Sequence, residues 1–146
     1  MTVLIAIILL DINAFICNMI NSLDGIKQPF FIGIAGSGMS ALAQYLQGIG
    51  MQVSGSDRFF EQGKQNETQE KLEAEGIGCF PQDGTGIKTG IDLIVASTAV
   101  EDTVAEIRKA KDLGIPVLRR SELLSLIAAS RKTRSSHRAS SWCRSR

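Results

Sequence analysis

The sequence predicts an α/β fold, a doubly wound parallel sheet of about five strands in a single domain. Three observations predict it. Short apolar runs alternate with segments of helical spacing from Pro29 to Ala129, the first run breaks into glycines that feed a helix, and an acid, Asp57, closes the second. At 146 residues and 44% hydrophobic content the chain can bury one core of ordinary size, so no second domain is expected.

Phe30 to Ala35 is predicted as a buried strand, and the glycines after it as a tight turn. Met39, Leu42, Leu46 and Ile49 fall at helical spacing, which predicts a helix over Gly38–Gln47 with one face on the sheet and Gly48 and Gly50 as its stop. Met51 to Gly55, centred on Val53, reads as the second strand, with Ser56 and Asp57 following it. Phe59 to Gln65 is a polar linker. Asn66 with Gln69 opens a charged helix through Glu75 in the manner of a capping box, with Gly76 as its stop. Ile77–Phe80 is a short third strand, Pro81–Gly90 a loop, and Ile91–Ala96 a strongly apolar fourth strand ending at Ser97-Thr98. Asp102 caps a helix to about Leu113, with Val104, Ile107 and Leu113 inward. Ile115–Leu118 is the fifth strand, with Pro116 near its start, where a missing N–H is tolerated. Ser121–Ala129 is the last helix. The alternation gives a Rossmann-like sheet with right-handed crossovers and ligands at the carboxyl ends of the strands.

The two ends of the chain fall outside this pattern. Residues 1–28 are an apolar extension followed by loop chemistry, and the domain proper starts near Pro29. Asp11, Asn13 and Asn18 make residues 1–20 a poor membrane span, and no basic n-region or small-residue cleavage site marks a secretory signal. An anchor, an added element packed on the domain and an extension outside the folded unit stay open. Residues 131–146 carry six Lys or Arg and no acid, leaving ten basic against fifteen acidic groups, a net −5, in residues 1–130. That balance argues against a specific nucleic-acid-binding body, and the basic tail, with its lone Trp142, is expected to be disordered. Cys17, Cys79 and Cys143 are too far apart for a disulfide framework or zinc site. The single histidine, His137, lies in the tail, so a histidine dyad or triad has no support.

What chemistry the pattern carries lies at the strand ends. A strand that ends in glycines and feeds a helix brings unpaired N–H groups and the positive end of the helix dipole to one point, which suits phosphate. Asp57, about 20 residues beyond the glycines, stands where an acid binds ribose hydroxyls in such folds, and equally where a turn or N-cap aspartate would. Ser97 and Thr98 would emerge at the same sheet edge as phosphate or sugar contacts, or as a turn pair.

The blocks Phe31-Ile32-Gly33-Ile34-Ala35-Gly36-Ser37-Gly38-Met39-Ser40-Ala41-Leu42-Ala43, Val53-Ser54-Gly55-Ser56-Asp57, Ser97-Thr98-Ala99-Val100 and Gly114-Ile115-Pro116-Val117-Leu118-Arg119-Arg120 stand in this order. Together they closely resemble the first, UDP-binding domain of the Mur ligase family, over residues 29–130. The resemblance implies peptidoglycan synthesis in the cytoplasm: an amino acid is joined to UDP-N-acetylmuramate or a related UDP-sugar, with ATP and magnesium used by the full-length enzymes. It implies that Ala35, Gly36, Ser37, Gly38, Met39 and Ser40 line the pyrophosphate, that Ser56 and Asp57 sit by the uridine, and that Ser97 and Thr98 flank the sugar diphosphate. Departures fall at Ala35, where the family has glycine, and at Phe30 and Gln82, where many members have histidine. Past Ala129 no Gly-Lys-Ser/Thr phosphate loop follows, so the chain is expected to be a fragment that binds and does not catalyse, with no catalytic or metal residue of its own. An NAD-binding redox or regulatory module remains the alternative from the residues alone, and a ligase of a whole muramyl tripeptide the alternative within the family.

Overall fold

The computed structural model describes residues 23–60, 66–100 and 104–141, with backbone alone over 132–141. Strand β1 (Pro29–Ile32), helix α1 (Ser37–Gly48), β2 (Ser54–Asp57), α2 (Glu67–Ala74), β3 (Gly78–Pro81), β4 (Leu93–Ala96), α3 (Ala105–Asp112), β5 (Val117–Arg119) and α4 (Arg120–Ser141) follow in order. The five strands form one sheet, β3-β2-β1-β4-β5, with every neighbouring pair parallel. The doubly wound α/β sheet expected from the sequence is therefore the observed one. From β1 the chain builds outward to β3, then crosses back to lay β4 on β1's other side. That reversal opens a crevice beyond the carboxyl ends of β1 and β4, where ligands of such sheets bind.

Alternation along the strands divides the core in two. Phe31, Leu93, Val95 and Leu118 face one side of the sheet with Leu42, Ala43 and Leu46 of α1 and Leu123 and Ile127 of α4. Phe30, Ile32, Ile94 and Ala96 face the other side with Ile107 and Ala110 of α3. Both central strands are buried at every residue, as a sheet covered on both faces requires.

Several elements end where the sequence did not place them. β1 stops at Ile32, because Gly33 turns the chain at φ +82°. The second strand is Ser54–Asp57 and not Met51–Gly55: pairing with β1 sets its register, Phe30 opposite Ser54 and Ile32 opposite Ser56. Ser56 and Asp57 thus belong to the strand. The capping box of α2 is half formed. Asn66 Oδ1 accepts from Thr68 N at 3.0 Å, whereas the Gln69 amide bonds Glu73 at 2.9 Å and does not reach back. Asn66→Ala is expected to cost about 1 kcal/mol in denaturant unfolding and leave ligand binding unchanged.

Helix α3 begins at Ala105 behind Val104, which makes no side-chain cap, and ends at Asp112, so Ala110 takes the inward place expected of Leu113, which is 47% exposed. Helix α4 runs past Ala129 to Ser141, through the segment expected to lack order, since no glycine or proline interrupts it. The expectations for residues 1–20, Asp102 and Trp142 lie outside the described residues. Among the described residues no helix is long and apolar enough to cross a membrane.

Candidate functional site

The crevice has a volume of about 420 Å³, and its walls include Gly33, Asp57, Phe59, Gln82, Ser97 and Val100. Its floor is the turn after β1. Gly33 N–H and Ile34 N–H both donate to the Ser56 carbonyl, at 2.8 and 3.1 Å, and Gly36 N–H donates to Gly33 O at 3.3 Å. Ala35 N–H donates to Asp57 Oδ2 at 3.0 Å, and Phe59 N–H to the other carboxylate oxygen at 3.0 Å. Asp57 therefore staples the turn after β1 to the turn after β2. Charge-assisted bonds of this kind are roughly twice as strong as neutral ones.

This accounting decides which backbone donors remain. Met39 N–H and Ser40 N–H both bond Gly36 O. Ser37 and Gly38, the first two residues of α1, keep N–H groups with no acceptor among the described residues. Gly36 caps the helix without a side chain, so nothing competes for them. Two free donors at the positive end of a 12-residue helix are chemically suited to an anion. The Arg120 guanidinium packs over Gly38, where an added Cβ would collide with it, and brings a full positive charge to the same point.

The expected residues thus fall into different roles. Gly36, Ser37 and Gly38 meet at the mouth of the turn. Ala35 has its N–H committed to Asp57 and Met39 is buried in the core, while the Ser40 hydroxyl donates to Ser37 O at 3.1 Å. Ser56 is fully buried and holds the turn through its carbonyl. Ser97 borders the crevice against Gly33, and its Oγ accepts from Ala99 N–H at 3.2 Å. Thr98 is exposed and lies outside the crevice walls. Arg119 clamps the loop after β4, its guanidinium donating to the Val100 carbonyl at 3.0 Å.

Two crevice features, Phe59 and Glu106, were not singled out from the sequence, and Gln82 stood out there only as a departure from the family pattern. Phe59 is 59% exposed at the rim with Arg58 5.0 Å above its ring; an aromatic two residues after the strand-end acid was the available signal, hidden in what reads as a polar linker. Gln82 forms part of the wall. Glu106, in the first turn of α3, is fully buried behind it. Burial pushes the Glu106 carboxyl above the ordinary range, and the charges of Asp83 and Asp57 push the same way. The nearby Ser56 hydroxyl and Gln82 amide offset part of this without reaching hydrogen-bond geometry.

The native state then binds a proton at Glu106 more tightly than the unfolded chain does. Stability from this group is full below the ordinary glutamate pKa and falls as pH rises through the elevated native value. Glu106→Gln is expected to remove that fall, so the stability difference between variant and wild type should shift in the variant's favour as pH rises from 4 to 8 in thermal melts. A difference constant with pH would contradict it. The half-buried Cys79 thiol is pushed up to about 12, chiefly by burial, and stays an unreactive thiol at neutral pH. Among the described residues no three His, Cys, Asp or Glu side chains converge as a metal site requires.

The sequence and the fold are matched in known proteins. The family model described as Mur ligase family, catalytic domain, matches residues 30–132. UDP-N-acetylmuramate–L-alanine ligase of Carboxydothermus hydrogenoformans is 45% identical over 103 residues, 70% of this chain and 21% of that protein. The enzyme of the same name from Clostridium kluyveri is 41% identical over 107 residues, 73% of this chain and 22% of that protein. The crystal structure of UDP-N-acetylmuramate–alanine ligase from Thermotoga maritima superposes with a TM-score of 0.59 at 30% identity, covering 66% of this chain and 21% of that one. The chain thus spans about a fifth of the length of these relatives. None of this supports the redox alternative. A five-stranded parallel sheet, a glycine turn stapled by a strand-end aspartate and a family match over most of the chain lead to one conclusion: the chain belongs to the Mur ligase family.

Proposed function

We propose that this chain is the substrate-holding domain of an ADP-forming amino-acid ligase of peptidoglycan synthesis, and that it binds the UDP part of UDP-N-acetylmuramate. One observation carries the reading: the free N–H groups of Ser37 and Gly38 lie at the N-terminus of α1, beside the Arg120 guanidinium and directly after Gly36 of the crevice wall. A pyrophosphate fits there because its charge is met by two donors, a helix dipole and a cation. Phe59 at the rim offers an exposed ring face for the uracil. Ser97 stands on the other wall, where the sugar diphosphate passes. L-alanine is the proposed co-substrate of the complete enzyme because relatives at 41% and 45% identity carry that name. The family's ATP and magnesium are assigned no residue of this chain. A cytoplasmic setting goes with this reading.

The test is thermal stabilisation by added ligand. A ligand that binds only the folded chain stabilises it by about 2.7 kcal/mol at a hundred times its Kd. UDP-N-acetylmuramate is expected to raise the melting temperature and NAD to leave it unchanged. Stabilisation by NAD alone would reverse the assignment. ADP release from ATP, dependent on UDP-N-acetylmuramate and L-alanine, would show that the chain does more than hold substrate.

A further inference from the structure

Both carboxylate oxygens of Glu106 and the hydroxyl of Ser56 are buried with no hydrogen-bond partner among the described residues. Each such orphan costs on the order of 1–3 kcal/mol, and three gathered in one place call for a purpose beyond packing. Their setting suggests one. Ser56 immediately precedes the Asp57 staple, Glu106 opens α3, and Gln82 stands beside Glu106 with its other side in the crevice wall. Gln82 is the only one of the three that a ligand can touch, being half-buried where the others are sealed.

A carboxamide has a donating end and an accepting end. An ionised carboxylate only accepts and a protonated one keeps an accepting oxygen, so the NH₂ end is the end of Gln82 that Glu106 can hold in both states. The carboxamide oxygen then faces the crevice. We propose that Glu106 is a positioning residue of this crevice: with Ser56 it draws the Gln82 amide inward and presents the Gln82 oxygen to a hydrogen-bond donor of the nucleotide sugar. That donor is a hydroxyl or the base N–H, and never a phosphate. A ligand donor in front and Glu106 behind hold Gln82 from both sides, and each bond strengthens the other. This inference rests on the nucleotide-sugar reading given above.

A double-mutant cycle on the 146-residue chain tests it, with Kd measured by calorimetry at constant pH for UDP-N-acetylmuramate and for UDP. Glu106→Leu removes the acceptors and fills the same space. A merely structural Glu106 would make this change neutral or stabilising and leave Kd alone, because an unpartnered buried carboxyl is being replaced by an apolar group. As a positioning residue, its loss is expected to weaken binding about ten-fold, as far as Gln82→Ala does, with the double variant no weaker than either. Glu106→Gln, which keeps an acceptor oxygen, should restore most of the affinity. Where leucine is rejected by packing, Glu106→Met replaces it. Loss with both ligands assigns the donor to the uridine, and loss confined to UDP-N-acetylmuramate assigns it to the amino sugar; both outcomes support the proposal. A folded Glu106→Leu protein with wild-type Kd for both ligands, or single losses that multiply in the double variant, would overturn it while leaving the nucleotide-sugar reading intact. Failure of the wild-type chain to bind either ligand would overturn both.

Discussion

Asp57→Ala is expected to lose both stability and ligand binding, and more of each than any other change in the crevice. The Asp57 carboxylate is 5% exposed and accepts from Ala35 N–H and Phe59 N–H at 3.0 Å each. Removing it strands two part-buried donors, at about 1–3 kcal/mol apiece, so a total of about 2–6 kcal/mol is expected in thermal or urea unfolding. Binding suffers separately. The turn that sets the direction of the Ser37 and Gly38 N–H groups is anchored by the β2 end, through Ser56 O and Asp57 Oδ2. Freed of half that anchor, it must be ordered by the ligand itself, and the affinity for UDP-N-acetylmuramate should fall at least about ten-fold. Asn in place of Asp57 separates charge from shape: it keeps one acceptor and points an N–H at the other donor, so it should destabilise nearly as much as Ala. An Asn variant that melts with wild type would show the staple to be unimportant.

Gly55→Ala carries the second large effect, here on the sheet itself. A Cβ at this position would stand 2.6 Å from the Phe31 carbonyl oxygen and 2.7 Å from Ile34 Cδ1. The first of these is backbone of the neighbouring strand and cannot rotate away. Accommodation means parting β1 from β2, the strands that carry the glycine turn and Asp57. Overpacking of a buried site typically costs about 1–3 kcal/mol, and a backbone clash belongs at the upper end. Gly48→Ala is the control. It sits at the end of α1 with nothing within 4 Å of an added Cβ, so it should be neutral or stabilise slightly. Equal melting temperatures for the two variants would contradict the clash.

Both positions show where the sequence could and could not be read. Asp57 stood out from its spacing behind the glycines, which marks the carboxyl end of the second strand next to the first. Whether it faces a ribose or a backbone amide depends on where the Ala35 N–H points, and that is settled by the φ +82° turn at Gly33. Gly55 stood in a motif block, but its steric demand was not legible, since the crowding comes from Phe31 and Ile34 across the sheet. Phe59, and the place of Gln82 in the crevice wall, were hidden for the same reason. Each lies in a segment that reads as polar loop, and only the ends of parallel strands bring them to one crevice.

By itself the sequence determined the order of strands and helices, the parallel sheet and the family. These depend on local pattern: apolar periodicity, glycine positions and residue order survive without knowledge of distant contacts. Only the tertiary structure decided the register of β2, which of the turn's N–H groups stay free, and the burial of Glu106 behind Gln82 and Ser56. Register is fixed by pairing with β1, free donors are what remains after Asp57 and Ser56 have taken theirs, and a lone glutamate in the first turn of a helix reads as solvated until another strand's end is packed over it.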